Sequence, residues 1–200
     1  MSRDRLIAGG LFALGLAVMG GFFLSQTARP ALAEDGPGPN LVITVDGQAK
    51  GQIVIDLMPD VAPKHVEQIV ALAQAGDYDD VVFHRVIDGF MAQTGDVQYG
   101  KAGGSDMAGM GGSQRPDLPA EFSSVPFDRG VMGMARSQDP NSANSQFFIM
   151  FAPAPNLDGQ YTVVGRVVSG MEVVDAIKRG DGPNGSVSAP DRMVSVTVQQ

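Results

Sequence analysis

Cysteine is absent from the 200 residues, histidine occurs only as His65 and His84, and the 14 lysines and arginines form no run. Each shortage removes a class of chemistry. Without cysteine there is no disulfide, no thiolate nucleophile and no thiolate-held metal, and two histidines fall short of most zinc sites. No metal and no cofactor are expected. The 22 acidic residues bring the formal net charge to −8, and a phosphate-binding surface needs clustered Lys and Arg, so nucleic acid is set aside as a partner. What the chain has in quantity is hydrophobic residues, 44% of the total, enough for one domain with its own core.

The first 33 residues differ in kind from the rest. Arg3 and Arg5 precede a stretch over 6–24 with no charged residue, and Ala31, Leu32 and Ala33 put small residues at the two positions that signal peptidase reads. The expectation is a signal peptide over 1–33, cleaved before Glu34, and export to the periplasm. The alternative is an uncleaved inner-membrane anchor facing the periplasm, since the uncharged stretch approaches the ~20 residues that span a bilayer. A membrane is a partner only in that alternative. Cleavage removes three positive charges (Arg3, Arg5, Arg29) and one negative (Asp4), which takes the formal charge from −8 to −10. Residues 34–40, rich in Gly and Pro, read as a flexible linker ahead of a domain over 41–200.

Residues 41–45 and 52–57 alternate apolar and polar side chains around Asp46 and Gly47, the pattern of a β-hairpin. Asp60 is a candidate N-cap and Pro63 a first-turn residue for a helix whose Val66, Ile69, Val70 and Ala73 recur at helical spacing up to Gly76. Further strands are expected over 81–87, 90–93, 131–135, 146–151, 161–168 and 193–198, with a second helix over 171–179 ended by Gly180. The fold class is mainly β: an eight-stranded antiparallel closed barrel with two α-helices. Residues 95–130, long, glycine-rich and weakly periodic, read as surface loop.

Some patterns point elsewhere but lack an essential part. Residues 95–102, G-D-V-Q-Y-G-K-A, are one residue short of a phosphate-binding loop, and Ala102 stands where a Mg²⁺-binding hydroxyl belongs. Ser105 and Ser145 have no G-x-S-x-G frame. Met107, Met110, Met132 and Met134 are read as core filling and loop composition ahead of copper ligands.

Three blocks carry more information. Residues 83–96 read F-H-R-V-I-D-G-F-M-A-Q-T-G-D, residues 134–149 read M-A-R-S-Q-D-P-N-S-A-N-S-Q-F-F-I, and residues 157–165 read L-D-G-Q-Y-T-V-V-G. In this order they resemble the cyclophilin family of peptidyl-prolyl cis–trans isomerases, and the likeness runs from about residue 41 to residue 198.

The reaction that the resemblance implies is rotation about X–Pro peptide bonds, assisting the folding of exported proteins, with proline-containing unfolded or flexible polypeptides as partners. Amide resonance sets a barrier of about 18–20 kcal/mol. No bond has to break, so a site need only favour the twisted amide over its planar forms. By resemblance Arg85 is the catalytic residue, a guanidinium that donates hydrogen bonds without titrating near neutral pH. Gln93 would hold the substrate backbone, and Phe90, Met91, Phe148 and Leu157 would grip the proline ring. Ala135, Arg136, Ser137 and Gln146 correspond to the groove beyond, and Tyr161 lines the pocket. Phe83, Phe147 and His84 are read as core, His84 with a hydrogen-bond partner.

Three positions depart from the family pattern. Arg136 stands where many relatives have Asn, Tyr161 where the best-known eukaryotic members have His, and Asn156 where drug-sensitive members have Trp, which implies weak cyclosporin binding. No coiled-coil seam or long exposed apolar stretch argues for more than a monomer. A peptide-binding chaperone or assembly factor using the same groove without turnover is the alternative function. Arg85, which a pure binder could lose, favours the isomerase.

Cleavage before Glu34 predicts a soluble mature chain that begins at that residue. Intact mass of the protein from a periplasmic fraction checks this, and recovery of the full-length chain in a salt-resistant membrane pellet would support the anchor instead.

Overall fold

In the computed structural model, which describes residues 34–103 and 106–200, β1 (Asn40–Asp46) and β2 (Gly51–Leu57) form the expected antiparallel hairpin. Alternation puts Leu41, Ile43 and Val45 of β1, with Ile53, Ile55 and Leu57 of β2, into one buried core. The signal peptide or anchor expected over 1–33 lies outside the described residues. Residues 34–40 run beside β2, where Pro39 O accepts from Leu57 N at 3.0 Å and Glu34 O accepts from Arg166 Nη2 at 2.7 Å.

Seven further strands follow: β3 (Val81–Val82), β4 (Arg85–Ile87), β5 (Met91–Thr94), β6 (Val131–Met134), β7 (Phe147–Met150), β8 (Val163–Ser169) and β9 (Arg192–Gln199). They join one antiparallel sheet in the order β3-β9-β1-β2-β8-β6-β7-β5-β4. The expected eight-stranded closed barrel is corrected in strand number and in closure. The run over 81–87 is two strands, because at Phe83 and His84 the chain leaves the ladder: Phe83 N donates to Asp191 O at 2.9 Å and His84 O accepts from Val187 N at 3.2 Å. β3 therefore pairs with β9, and β4 with β5. Both ends of the sheet order are pieces of one chain segment, so the curled sheet is joined there by the covalent chain and not by a ladder.

Helix α1 (Pro63–Gln74) turns Val66, Ile69, Leu72 and Ala73 inward. Asp60 does not cap it. The N-cap is Ala62, which makes no side-chain capping bond, and the orphan N–H groups of Lys64 and His65 instead donate to Glu121 Oε2, at 3.2 Å each. The same oxygen lies 2.7 Å from His65 Nδ1. Helix α2 (Met171–Ala176) ends short of the expected residue 179, because Ile177 is extended (φ −55°, ψ 131°) and Lys178 N donates to Asp191 Oδ2 at 2.7 Å. The described part of 95–130 contains no helix, and only isolated bridges at Lys101 and Leu118. Among the described residues, a 3-10 turn, Pro155–Leu157, is the one helical element that the sequence pattern does not announce.

Burial works to raise the pKa of the Glu121 carboxyl, but hydrogen bonds from the His65 ring and from the backbone of His65 and Lys64 outweigh it and hold the group below its ordinary value. A folded value below the unfolded one gives stabilisation that is complete above the unfolded Glu pKa of ~4.3 and is lost as pH falls through the folded value. Glu121→Gln should therefore cost about 1–2 kcal/mol at pH 7. In urea unfolding the gap to wild type should close as the pH drops below ~4. A gap that ignores pH would show that the charge plays no part in the cap.

Candidate active site

Strands β5, β6 and β7 are buried on both faces. Ala92, Met132, Phe147 and Ile149 point into the main core, while Met91, Val131, Phe148 and Met150 point into a second apolar cluster on the other side. Antiparallel register then lines up one row across five strands: Arg85 faces Gln93, Gln93 faces Phe148, Phe148 faces Gly133, and Gly133 faces Val163. Arg85 is half-buried at the end of this row. Its Nη1 donates to Gln93 Oε1 and its Nε to Asn184 O, both at 3.0 Å. Nη2 has no hydrogen-bond partner among the described residues.

Nine of the eleven expected site residues meet at one cavity of about 180 Å³: Arg85, Phe90, Met91, Gln93, Ala135, Arg136, Phe148, Leu157 and Tyr161. Met91, Phe148 and Leu157 are its buried wall. Behind them Phe127 stacks on Phe148, with centroids 5.8 Å apart, and Tyr161 meets both rings edge-on at 5.9 and 6.5 Å. Tyr161 is covered in turn by Arg136, whose Cζ lies 4.3 Å from the ring centroid and whose Nη2 donates to Gln160 O at 3.0 Å. Phe127 belongs to none of the three sequence blocks. The only trace of it there is Asp158, which accepts from Phe127 N at 2.8 Å.

Ser137 and Gln146 lie elsewhere. They line a second cavity of about 620 Å³ that shares Gln93, Ala135 and Arg136 with the first and is otherwise mostly polar, with Ser113, Asp117, Ser142 and Asn144 in its wall. Weak periodicity over 95–130 left no signal for that loop's share. Asn156 is exposed on the 3-10 turn beside Leu157 and does not line the first cavity.

His84 is buried, as expected of a core residue, and burial lowers its pKa, which keeps the ring neutral. The lysine of the near-miss phosphate loop, Lys101, is committed to the carbonyls of Asp77 and Asp79, both at 2.6 Å. Among the described residues no group of three or more His, Cys, Asp or Glu is arranged to hold a metal ion.

Residues 41–198 match the family model of cyclophilin-type peptidyl-prolyl cis–trans isomerases. The chain belongs to the cyclophilin family. A probable peptidyl-prolyl cis–trans isomerase of Brucella suis is 60% identical over 153 residues, covering 74% of this chain and 78% of its own length. An Arabidopsis thaliana isomerase is 37% identical over 149 residues, covering 74% and 90%. Among solved structures, the Hirschia baltica cyclophilin AquaCyp293 superposes with a TM-score of 0.68 at 26% identity, over 82% of this chain and 74% of its own. A Cryptosporidium parvum cyclophilin determined in the presence of the dipeptide Ala-Pro gives 0.66 at 25% identity, over 80% and 99%. This cyclophilin is a peptidyl-prolyl cis–trans isomerase, and cyclophilins bind proline-containing peptides.

Gly133 makes room for the aromatic stack of this cyclophilin. A Cβ there would lie 2.5 Å from Phe127 Cε1 and 2.7 Å from Phe148 Cζ. Gly133→Ala should lower stability by about 1–3 kcal/mol through overpacking, and should also slow turnover, because the displaced Phe148 ring forms the cavity wall. Thermal melting and a prolyl-peptide assay check both. A variant with the wild-type melting temperature and rate would show that the stack yields freely.

Proposed function

We propose that the proline ring of a substrate enters the smaller cavity against Phe90, Met91, Phe148 and Leu157, and that Arg85 donates from Nη2 to the prolyl nitrogen as the amide twists. The observation that carries this is a guanidinium held at two nitrogens on the rim of a cavity whose wall includes Phe90, Met91, Phe148 and Leu157. Twisting ends the resonance of the amide and frees the nitrogen lone pair to accept, so the bond forms only on the way over the barrier. Lowering that barrier by about 7 kcal/mol accelerates rotation ~10⁵-fold. A donor that is fixed beforehand costs no reorganisation at that moment. The Ala-Pro dipeptide named with the Cryptosporidium parvum structure fits a ligand of this class.

Gln93 gives one lone pair to Arg85 and one N–H to Gln146, and keeps a second of each for the substrate backbone. The residues before proline would cross the shared wall of Gln93, Ala135 and Arg136 into the polar cavity. Arg136 serves there through its stacking on Tyr161, and Ser137 and Gln146 through their place in that cavity's wall. We propose in addition that the enzyme acts as a monomer on exported chains in the periplasm, where uncatalysed X–Pro rotation, at ~10–100 s, delays folding. Support for the location is the uncharged stretch after Arg3 and Arg5 and the small residues Ala31 and Ala33.

Arg85→Ala should lower kcat/KM by about 10²–10³ with the fold intact, the loss that follows removal of a preorganised donor to a transition state. Arg85→Lys should recover only part, since an ammonium lacks the planar fork. Near-wild-type turnover by a folded Arg85→Ala protein would sink the assignment.

A further inference from the structure

Two glutamine side chains link Arg85 to the loop across the groove. Arg85 Nη1 donates to Gln93 Oε1 (3.0 Å), Gln93 Nε2 donates to Gln146 Oε1 (2.9 Å), and Gln146 Nε2 donates to Gly109 O and Gly111 O (2.9 and 2.8 Å). Both ends of this series have fixed polarity, because a guanidinium only donates and a backbone carbonyl only accepts. Each amide between them has one orientation that satisfies both neighbours. Without the two carbonyls, Gln146 could turn its amide over; Gln93, then facing an NH₂, would follow and present a donor to the guanidinium.

The two carbonyls are placed by Asp96. Asp96 is fully buried, 0% exposed, and its carboxylate accepts four backbone N–H groups. Oδ2 takes Gly109 N at 2.7 Å and Gly111 N at 2.9 Å; Oδ1 takes Gln98 N at 3.1 Å and Tyr99 N at 2.9 Å. The turn therefore shows its N–H groups to Asp96 and its carbonyls to Gln146. Side chains do not fit in this arrangement: a Cβ on Gly111 would lie 2.5 Å from Asp96 Oδ1, and one on Gly109, at φ +99°, would lie 2.9 Å from the His84 ring. Asp96 itself lines neither cavity. The other anchor of Arg85, Asn184 O, holds only Nε and leaves the rest of the guanidinium able to pivot.

We propose that Asp96 is a positioning residue for isomerisation, acting through the turn at Gly109 and Gly111 and the amides of Gln146 and Gln93 to hold the Arg85 guanidinium in line with the cavity. The proposal rests on Arg85 as the donor to the twisted amide. Catalysis by a placed donor is sensitive to position, a displacement of about 1 Å costing as much as ~10²-fold. Four hydrogen bonds away, Asp96 governs that placement without touching substrate.

Asp96→Asn keeps the size of the side chain and turns one acceptor oxygen into an NH₂ facing two N–H donors. Thermal unfolding establishes that the variant folds. Then kcat/KM is measured for wild type, Asp96→Asn, Arg85→Ala and the double variant, with exchange NMR for the slow ones, and the Arg85 Nε–H resonance is followed in the proteins that retain it. Folded Asp96→Asn should lose about ten-fold in kcat/KM, and less than about two-fold in the Arg85→Ala background, since two residues acting through one contact are not additive. The Arg85 Nε–H signal should shift and exchange faster with water. Full turnover in folded Asp96→Asn, an equal loss with and without Arg85, or an unmoved Nε–H signal would each overturn the proposal. Wild-type turnover by Arg85→Ala would instead overturn the assignment of Arg85, and a slow Arg85→Ala beside a fast Asp96→Asn would overturn Asp96 alone. If Asp96→Asn does not fold, Gly111→Ala takes its place. There the Cβ displaces the carboxylate and leaves every hydrogen-bonding group of the series intact, and the same readouts decide.

Discussion

Burial on both faces of β5, β6 and β7 is the constraint from which the rest of the molecule follows. In most antiparallel sheets one face is packed and the other is wet. Here the inward set, Ala92, Met132, Phe147 and Ile149, completes the main core, and the outward set, Met91, Phe148 and Met150, forms a second core with Phe127 and Leu157. Side chains alternate with period two, so a slip of one residue would exchange the two sets and carry Arg85 and Gln93 to the wrong side. The register that buries Phe147 also delivers Phe148 to the cavity and Arg85 to its rim. Core stability and site geometry thus share one set of strand pairings, and at Gly133 they share one missing side chain.

The loops are held by a different means. Residues 95–130 run without a helix, so their backbone N–H groups and those of their neighbours need partners of another kind. Carboxylates supply several of them, Asp96 and Asp191 fully buried, Glu121 half-buried and Asp158 exposed. Glu121 caps α1 across the molecule, Asp96 gathers four N–H groups into one turn, Asp191 takes Ala49 N and Lys178 N, and Asp158 takes Phe127 N. Part of the acidic composition is therefore structural, oxygen acceptors placed where the ladder does not reach. Asp96 and Asp158 each hold backbone that backs one of the two cavities.

Much of this was legible from local pattern. The hairpin of β1 and β2, the body of α1 and the strand positions follow from period two and period 3.6, which act over a few residues at a time, and the residues gathered at the cavity were named by the family resemblance of three motif blocks. Phe83 and Phe147, read as core, are fully buried. What stayed hidden involves residues far apart in the chain. Asp60 has the right chemistry and position to cap α1, but Glu121 does so instead, because only the fold brings that carboxylate to the helix end. The break at Phe83 and His84 depends on Asp191 and Val187 competing for their backbone groups. Phe127, the polar cavity and the series from Asp96 to Arg85 lie in or behind a loop without periodicity. The sequence by itself determined the fold class and the strand alternation, since each is a matter of local spacing and residue type, and through the resemblance of three motif blocks it named the candidate site residues. Tertiary structure alone decided which acceptor meets which buried N–H and which way each amide of the groove must face, because a hydrogen bond is settled by distance and direction in space, and neither is written in the spacing of residues along the chain.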